Sequence, residues 1–154
     1  MQLTGNFRQD LATIKEAAGI VYPENKIMRD LCICQAILES GIRNGGSVLS
    51  NKYNNLFGIK GKGIKTGRSV RLPTKEDIRG KIHTVQDDFA WNDSVEESFL
   101  QHKKILSLPR YASVWKSKDF NEAATRVREC GYATLKTYDK LLIQIYNQYI
   151  VDKD

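Results

Sequence analysis

The residue in this chain best suited to chemistry is Glu39, which closes the run Cys32-Ile33-Cys34-Gln35-Ala36-Ile37-Leu38-Glu39 before the break at Ser40-Gly41. The run is apolar on nearly every side, so it reads as a buried helix that delivers one acid at its C-terminal end. There the helix dipole carries partial negative charge, and an apolar wall strips water from the carboxylate. Both effects favour the protonated form. A Glu that holds its proton near neutral pH can serve as a general acid. The plainer alternative is a helix-terminal Glu exposed to solvent.

A second stretch, Tyr53-Asn54-Asn55-Leu56-Phe57-Gly58-Ile59-Lys60, concentrates amides and aromatic rings. Amides can hydrogen-bond sugar hydroxyls or acetamido groups, and aromatic faces stack on pyranose rings. Loop Asn residues also bond their own backbone, and Leu56 and Phe57 can equally plug a core. Both readings stay open for Tyr53, Asn54 and Asn55, whereas Leu56 and Phe57 fit the core better. From Gly61 to Arg71 the chain is rich in Gly, Lys and Arg, but Ile64 stands where a phosphate-binding loop needs Lys followed by Ser or Thr. Nucleotide binding is therefore rejected, leaving a solvated basic loop or one that meets an anionic polymer. His83 and His102 have no ligand spacing with Cys or acids, so neither a metal site nor a cofactor is expected. Cys32, Cys34 and Cys130 read as reduced core residues without a His partner for nucleophilic chemistry, with a Cys34–Cys130 bridge as the alternative.

The elements that must position these residues fit one domain spanning 1–154. A chain of 154 residues, 41% hydrophobic and 27% charged, is long enough for a single core. An amphipathic helix over about 6–21 places Phe7, Leu11, Ile14, Ala18 and Val21 inward and Arg8, Gln9, Asp10, Lys15 and Glu16 outward. Pro23 suits the first turn of the central helix that ends at Glu39. Ser69-Val70-Arg71-Leu72 and Ile82-His83-Thr84-Val85 are the β-prone runs, predicting a small antiparallel hairpin or three-stranded lobe within about 64–90, with Gly80 in the turn and Glu76 and Asp77 near a strand. Three further helices follow. Asp93-Ser94 caps the first, whose inner face is Val95, Phe99, His102 and Leu106; Asp119 caps the second, with Ala123, Ala124, Val127 and Cys130 inward and Gly131 behind it; Thr137 caps the last, which carries Tyr138, Leu141, Leu142, Ile145 and Tyr149. The expected fold is α+β and mostly helical, with a cleft between helices and lobe.

The net charge of +6 and the pI near 9.2 favour contact with a polyanion. No recognisable nucleic-acid module accompanies the charge, and no apolar segment is long enough to insert into a membrane. Met1 to Arg8 lacks the basic-then-apolar layout of a secretory signal.

The strings Gln35-Ala36-Ile37-Leu38-Glu39-Ser40-Gly41, Asn54-Asn55-Leu56-Phe57-Gly58-Ile59-Lys60, Leu72-Pro73-Thr74-Lys75-Glu76, Asp93-Ser94-Val95-Glu96-Glu97-Ser98, Pro109-Arg110-Tyr111-Ala112 and Gly131-Tyr132-Ala133-Thr134 occur in one order along the chain. Together they resemble the bacterial and phage cell-wall glucosaminidases of glycoside hydrolase family 73, over about Asn6 to Ile150. The resemblance implies a lysozyme-like helical domain with a small antiparallel β-hairpin lobe flanking the active-site cleft. It also implies endo-hydrolysis of the β-1,4 bond between N-acetylglucosamine and N-acetylmuramic acid in peptidoglycan glycan strands. It carries the general acid onto Glu39, a second acid on the lobe onto Glu76, and a tyrosine beside the scissile sugar onto Tyr132. Lys75 and Asp77 flank Glu76 where the family commonly has aromatics, which makes Asp77 a second candidate. The lobe acid would activate a water, or the substrate's 2-acetamido group would assist instead.

Two rival readings use the same residues: a lytic transglycosylase or muramidase on this fold, and a catalytically silent wall-binding or phage-tail module. The expected enzyme is a monomer acting at the bacterial cell wall. It would be phage-delivered or a domain cut from a larger secreted autolysin.

Overall fold

The computed structural model describes residues 1–151, which form six α-helices, three single-turn 3-10 helices and one two-stranded antiparallel sheet. Helix α1 spans Phe7–Val21 and is capped by the Asn6 side chain, which accepts from the Gln9 amide. Its apolar face is as the periodicity predicts, with one correction: Asp10 is fully buried rather than outward. Its carboxylate accepts from Thr4 N at 2.7 Å, Thr4 Oγ1 at 3.0 Å and Gly5 N at 2.9 Å. Those bonds tie the N-terminal segment to α1 and replace the water that Asp10 gives up.

Helix α2, Lys26–Ser40, is the centre of the molecule, packed against α1 and, later in the chain, against the last two helices. It starts three residues later than Pro23 suggests, because Asn25 is its N-cap and accepts from Met28 N; Pro23 lies in the bend before it. Every residue from Leu31 to Ile37 is buried, so this helix has no solvent face in its middle. Gly41 ends it in the left-handed conformation, φ 73, where a side chain would be strained. A short helix α3, Val48–Tyr53, follows, capped by Ser47 and Ser50, which bond reciprocally.

The sheet is longer than the β-prone runs indicate. Strand β1 covers Arg68–Ile78 and β2 covers Lys81–Trp91, paired from Arg68↔Trp91 to Ile78↔Lys81. Residues 73–78, expected to be part of the connection, are strand. Both strands are edges, so Pro73 removes no bond that the sheet needs. Arg79 and Gly80 make the two-residue turn with φ 53 and 81, the primed geometry that matches strand twist. Along β1 the half-buried residues alternate as Val70, Leu72, Thr74 and Glu76, and along β2 the shielded residues Val85, Asp87, Phe89 and Trp91 alternate likewise, with Phe89 buried. Period-two alternation puts these on one face, and Asp77 on the other.

Helices α4 (Val95–Leu106), α5 (Phe120–Glu129) and α6 (Tyr138–Tyr149) complete the body. Ser94 and Asp119 cap the first two as expected, and Val95, Phe99, His102 and Leu106 are all buried. Thr137 precedes α6 but makes no side-chain cap bond, and Cys130 is the half-buried C-cap of α5 rather than a core residue. Gly131, φ 90, follows it as C′. All three cysteines are free. No helix is long and apolar enough to cross a membrane.

Candidate active site

A cleft of about 690 Å³ separates the helical body from the hairpin. Glu39, Ser47, Val48, Leu49 and Gly58 line its body side, and Leu72, Pro73, Thr74, Lys75, Glu76 and Phe89 its hairpin side, with Lys60 between them. Glu39 reaches it because α2 ends one residue later and Gly41 turns the chain away, leaving the side chain open to the cleft. Glu39 is exposed by surface area at the helix end, yet the protein packed around its carboxyl takes away much of the surrounding water. That desolvation pushes the carboxyl up to about 7, against the opposing pull of the Tyr132 hydroxyl, which donates to Oε2 at 3.4 Å. A protonated carboxyl at the edge of a cleft is available to give its proton to something bound there.

Beneath Glu39 lies a floor of aromatic and polar side chains. The Tyr132 ring sits 6.0 Å from Tyr138, 6.2 Å from Tyr111 and 5.7 Å from His102. Burial, then the Glu39 carboxylate and Tyr138, raises the Tyr132 phenol well above its usual range, so it stays a donor. Gln35, one turn before Glu39 on α2, donates to Tyr138 Oη at 3.0 Å. His102 is fully buried and stacked on Phe57 at 4.1 Å, and burial lowers it to about 3.

His102 does have a cysteine neighbour, contrary to expectation: its Nδ1 is 3.5 Å from Cys32 Sγ. Both are buried, and burial raises the thiol as it lowers the imidazole. The pair is therefore neutral and sealed from any reactant, a packing contact rather than a nucleophile and base. Among the described residues no cluster of His, Cys, Asp or Glu is arranged to hold a metal ion.

The residues anticipated as sugar contacts have different locations. Asn54 and Asn55 are buried. Asn54 Nδ2 donates to Asn92 O, while Asn55 Nδ2 donates to Ile59 O and Ala90 O and its Oδ1 accepts from Ile59 N. The Asn55 amide and the Asn54 Nδ2 group pin the loop and the hairpin base, and Phe57 lies in the core against Phe99 and His102. Tyr53 ends α3 and packs edge-on to Trp91 at 5.0 Å, at the foot of the hairpin. None of these four lines the cleft. Glu76 does, and Asp77 faces outward.

Sequence reasoning missed the groups around Glu76. Lys60 Nζ is 2.8 Å from Glu76 Oε1 and 2.9 Å from Asp87 Oδ2, and the two carboxylates hold the ammonium strongly charged while Lys60 draws Asp87 below its usual range. Only the strand register, which puts Leu72 opposite Asp87 and Glu76 four residues further along β1, brings the two acids onto one face. Gln35 had a readable signal, as the one amide inside an otherwise apolar run.

Comparison with known proteins bears on this geometry. Residues 15–150 match the family described as mannosyl-glycoprotein endo-beta-N-acetylglucosaminidase. The chain is 32% identical over 142 residues to the exo-glucosaminidase LytG of Bacillus subtilis (strain 168), covering 88% of this chain and 49% of that protein. It is 34% identical over 147 residues to a probable N-acetylmuramidase of Lactococcus lactis subsp. lactis (strain IL1403), covering 90% and 33%. The chain thus spans half or less of these relatives. Among solved structures, the catalytic domain of the autolysin Auto from Listeria monocytogenes superposes with a TM-score of 0.78 at 29% identity, over 97% of this chain and 88% of that one.

Proposed function

This chain belongs to the glucosaminidase family of glycoside hydrolases, and on that premise we propose that it hydrolyses the glycan strands of peptidoglycan at the β-1,4 bond between N-acetylglucosamine and N-acetylmuramic acid. The observation that carries the proposal is Glu39: a carboxyl raised to about 7, open to a cleft of about 690 Å³ whose other side carries an acid on a separate lobe. Cleavage needs a proton for the departing oxygen and compensation for positive charge at the anomeric carbon. Glu39 supplies the proton. Tyr132, donating to the same carboxyl, orients it and stabilises the carboxylate left behind.

Glu76 is the better candidate than Asp77 for the second role, since it is on the cleft face of β1. From there it either activates a water, giving inversion, or positions the substrate's 2-acetamido group as the internal nucleophile. The cleft walls Val48, Leu49, Leu72 and Pro73 offer apolar surface to sugar rings. Tyr53, Asn54, Asn55 and Phe57 act from underneath, by fixing the walls. The basic charge suits an anionic wall.

Digestion of purified peptidoglycan tests this. Wild type should clear the wall and leave reducing N-acetylglucosamine ends, and Glu39→Gln should bind without clearing. Reducing muramic acid ends would replace the assignment by a muramidase, a reading favoured by the 34% identity to a probable N-acetylmuramidase. An anhydro sugar would indicate a lytic transglycosylase. A wild-type protein that binds but never cleaves would make it a silent wall-binding module.

A further inference from the structure

The hairpin is anchored to the body at one end. Its backbone bonds to the body are at its base, where Ala90 N donates to Ile59 O, Gly61 N to Asp88 O, and Asn92 N to Tyr53 O, each at 2.9 Å. Asn55 adds its bonds to Ile59 and Ala90. Outward from these, among the described residues, the body's polar contact with the hairpin is the Lys60 ammonium, which spans from Glu76 on β1 to Asp87 on β2. Lys60 can do this because its own backbone pairs with Phe89 as a short extra rung on β2, a rung that Asn55 locks by bonding both its neighbour Ile59 and Ala90. The ammonium is thus fixed at its root and reaches along the cleft face.

Three consequences follow from that geometry. Lys60 ties the two strands to each other through side chains on opposite strands. It ties both to the body loop. It also fixes the direction of the Glu76 carboxylate through its contact with Oε1. We infer that Lys60 is a positioning residue, holding the cleft face of the hairpin in register with the body and aiming Glu76 across the cleft toward the bond that Glu39 protonates.

The inference rests on the proposed role of Glu76 for its catalytic part, but not for its mechanical part. Exposed ion pairs add little to global stability, so the effect lies in position rather than in melting temperature. Lys60→Met should melt close to wild type, and its amides at 74–86 should exchange with solvent measurably faster. On soluble glycan fragments its kcat should fall about tenfold or more with KM changed less than about threefold, since displacing a catalytic group costs up to ~10²-fold. Lys60→Arg, which keeps the charge and the reach, should recover most of the loss. Adding Lys60→Met to Glu76→Gln should cost nothing further, because both remove one function.

Additive losses, a smaller fall in kcat, or unchanged exchange at 74–86 would each overturn the inference. If wild type hydrolyses no glycan at all, the proposed function fails instead, and the exchange comparison on the free protein still decides whether Lys60 holds the hairpin.

Discussion

Glu39 and Glu76 face one cleft, but the regions that carry them are built on different principles. Glu39 rides on a helix buried through its middle, between α1, α5 and α6, so its position is set by close packing of many side chains. Glu76 rides on a two-stranded ribbon with one half-buried face, held to the body at its base and by Lys60. Packing fixes the helix that carries the first acid, and protein close around its carboxyl raises it even though the residue is exposed at the helix end. The second is held by few contacts, so breaking one or two is enough to move it. On the proposed mechanism, one cleft would combine a fixed proton donor with an adjustable partner.

The largest expected effect tests the fixed side. Glu39→Gln should lower the rate of peptidoglycan clearing by about 10³-fold, within the usual contribution of a general acid, while sedimentation with the wall is retained. A loss no greater than that of Glu76→Gln would erase the distinction between the two acids.

Stability should divide along the same line. Phe99→Ala, in the packed core under the site, should cost about 3–5 kcal/mol in urea unfolding. Ile82→Ala, on the exposed outer hairpin, should cost no more than ~0.5 kcal/mol. Similar costs would mean that the hairpin is part of the core after all.

The pH dependence sharpens the comparison. Activity requiring a protonated Glu39 should fall as pH rises through about 7. Tyr132→Phe removes a bond that favours the carboxylate, so that falling limb should move to higher pH in initial-rate profiles. The folded pKa of about 7 lies above the ordinary 4.5, so in that window the folded protein binds more protons than the unfolded chain. Stability should therefore decrease as pH rises across it, and Glu39→Gln should raise the melting temperature more at pH ~8 than at pH ~4.

The most local effect concerns the hairpin turn. Gly80 has φ 81, so Gly80→Ala should cost about 1 kcal/mol, seen as faster amide exchange near the turn with little change in global melting.

Much of the helical body was legible because its signals are local. Caps at Ser94 and Asp119, left-handed glycines at Gly41 and Gly131, and the inner stripe of α4 are written in adjacent residues. The hairpin was legible only at Gly80 and in its β-branched runs. Its remaining strand residues, including Pro73 and the charges at 75–77, are tolerated because a ribbon with two edges imposes little on composition. Asn54, Asn55 and Asp10 looked suited to solvent or ligand, and long-range backbone partners explain their burial instead.

By itself, then, the sequence determined that an acid closes a buried helix, because helix periodicity and the Ser40-Gly41 break act within a few residues. Only the tertiary structure decided what surrounds that acid. Tyr132 is far from Glu39 along the chain, and so is Lys60 from Asp87; their meeting depends on how α2, the loop and the hairpin pack, and a hydrogen bond or ion pair requires only that the atoms be close in space.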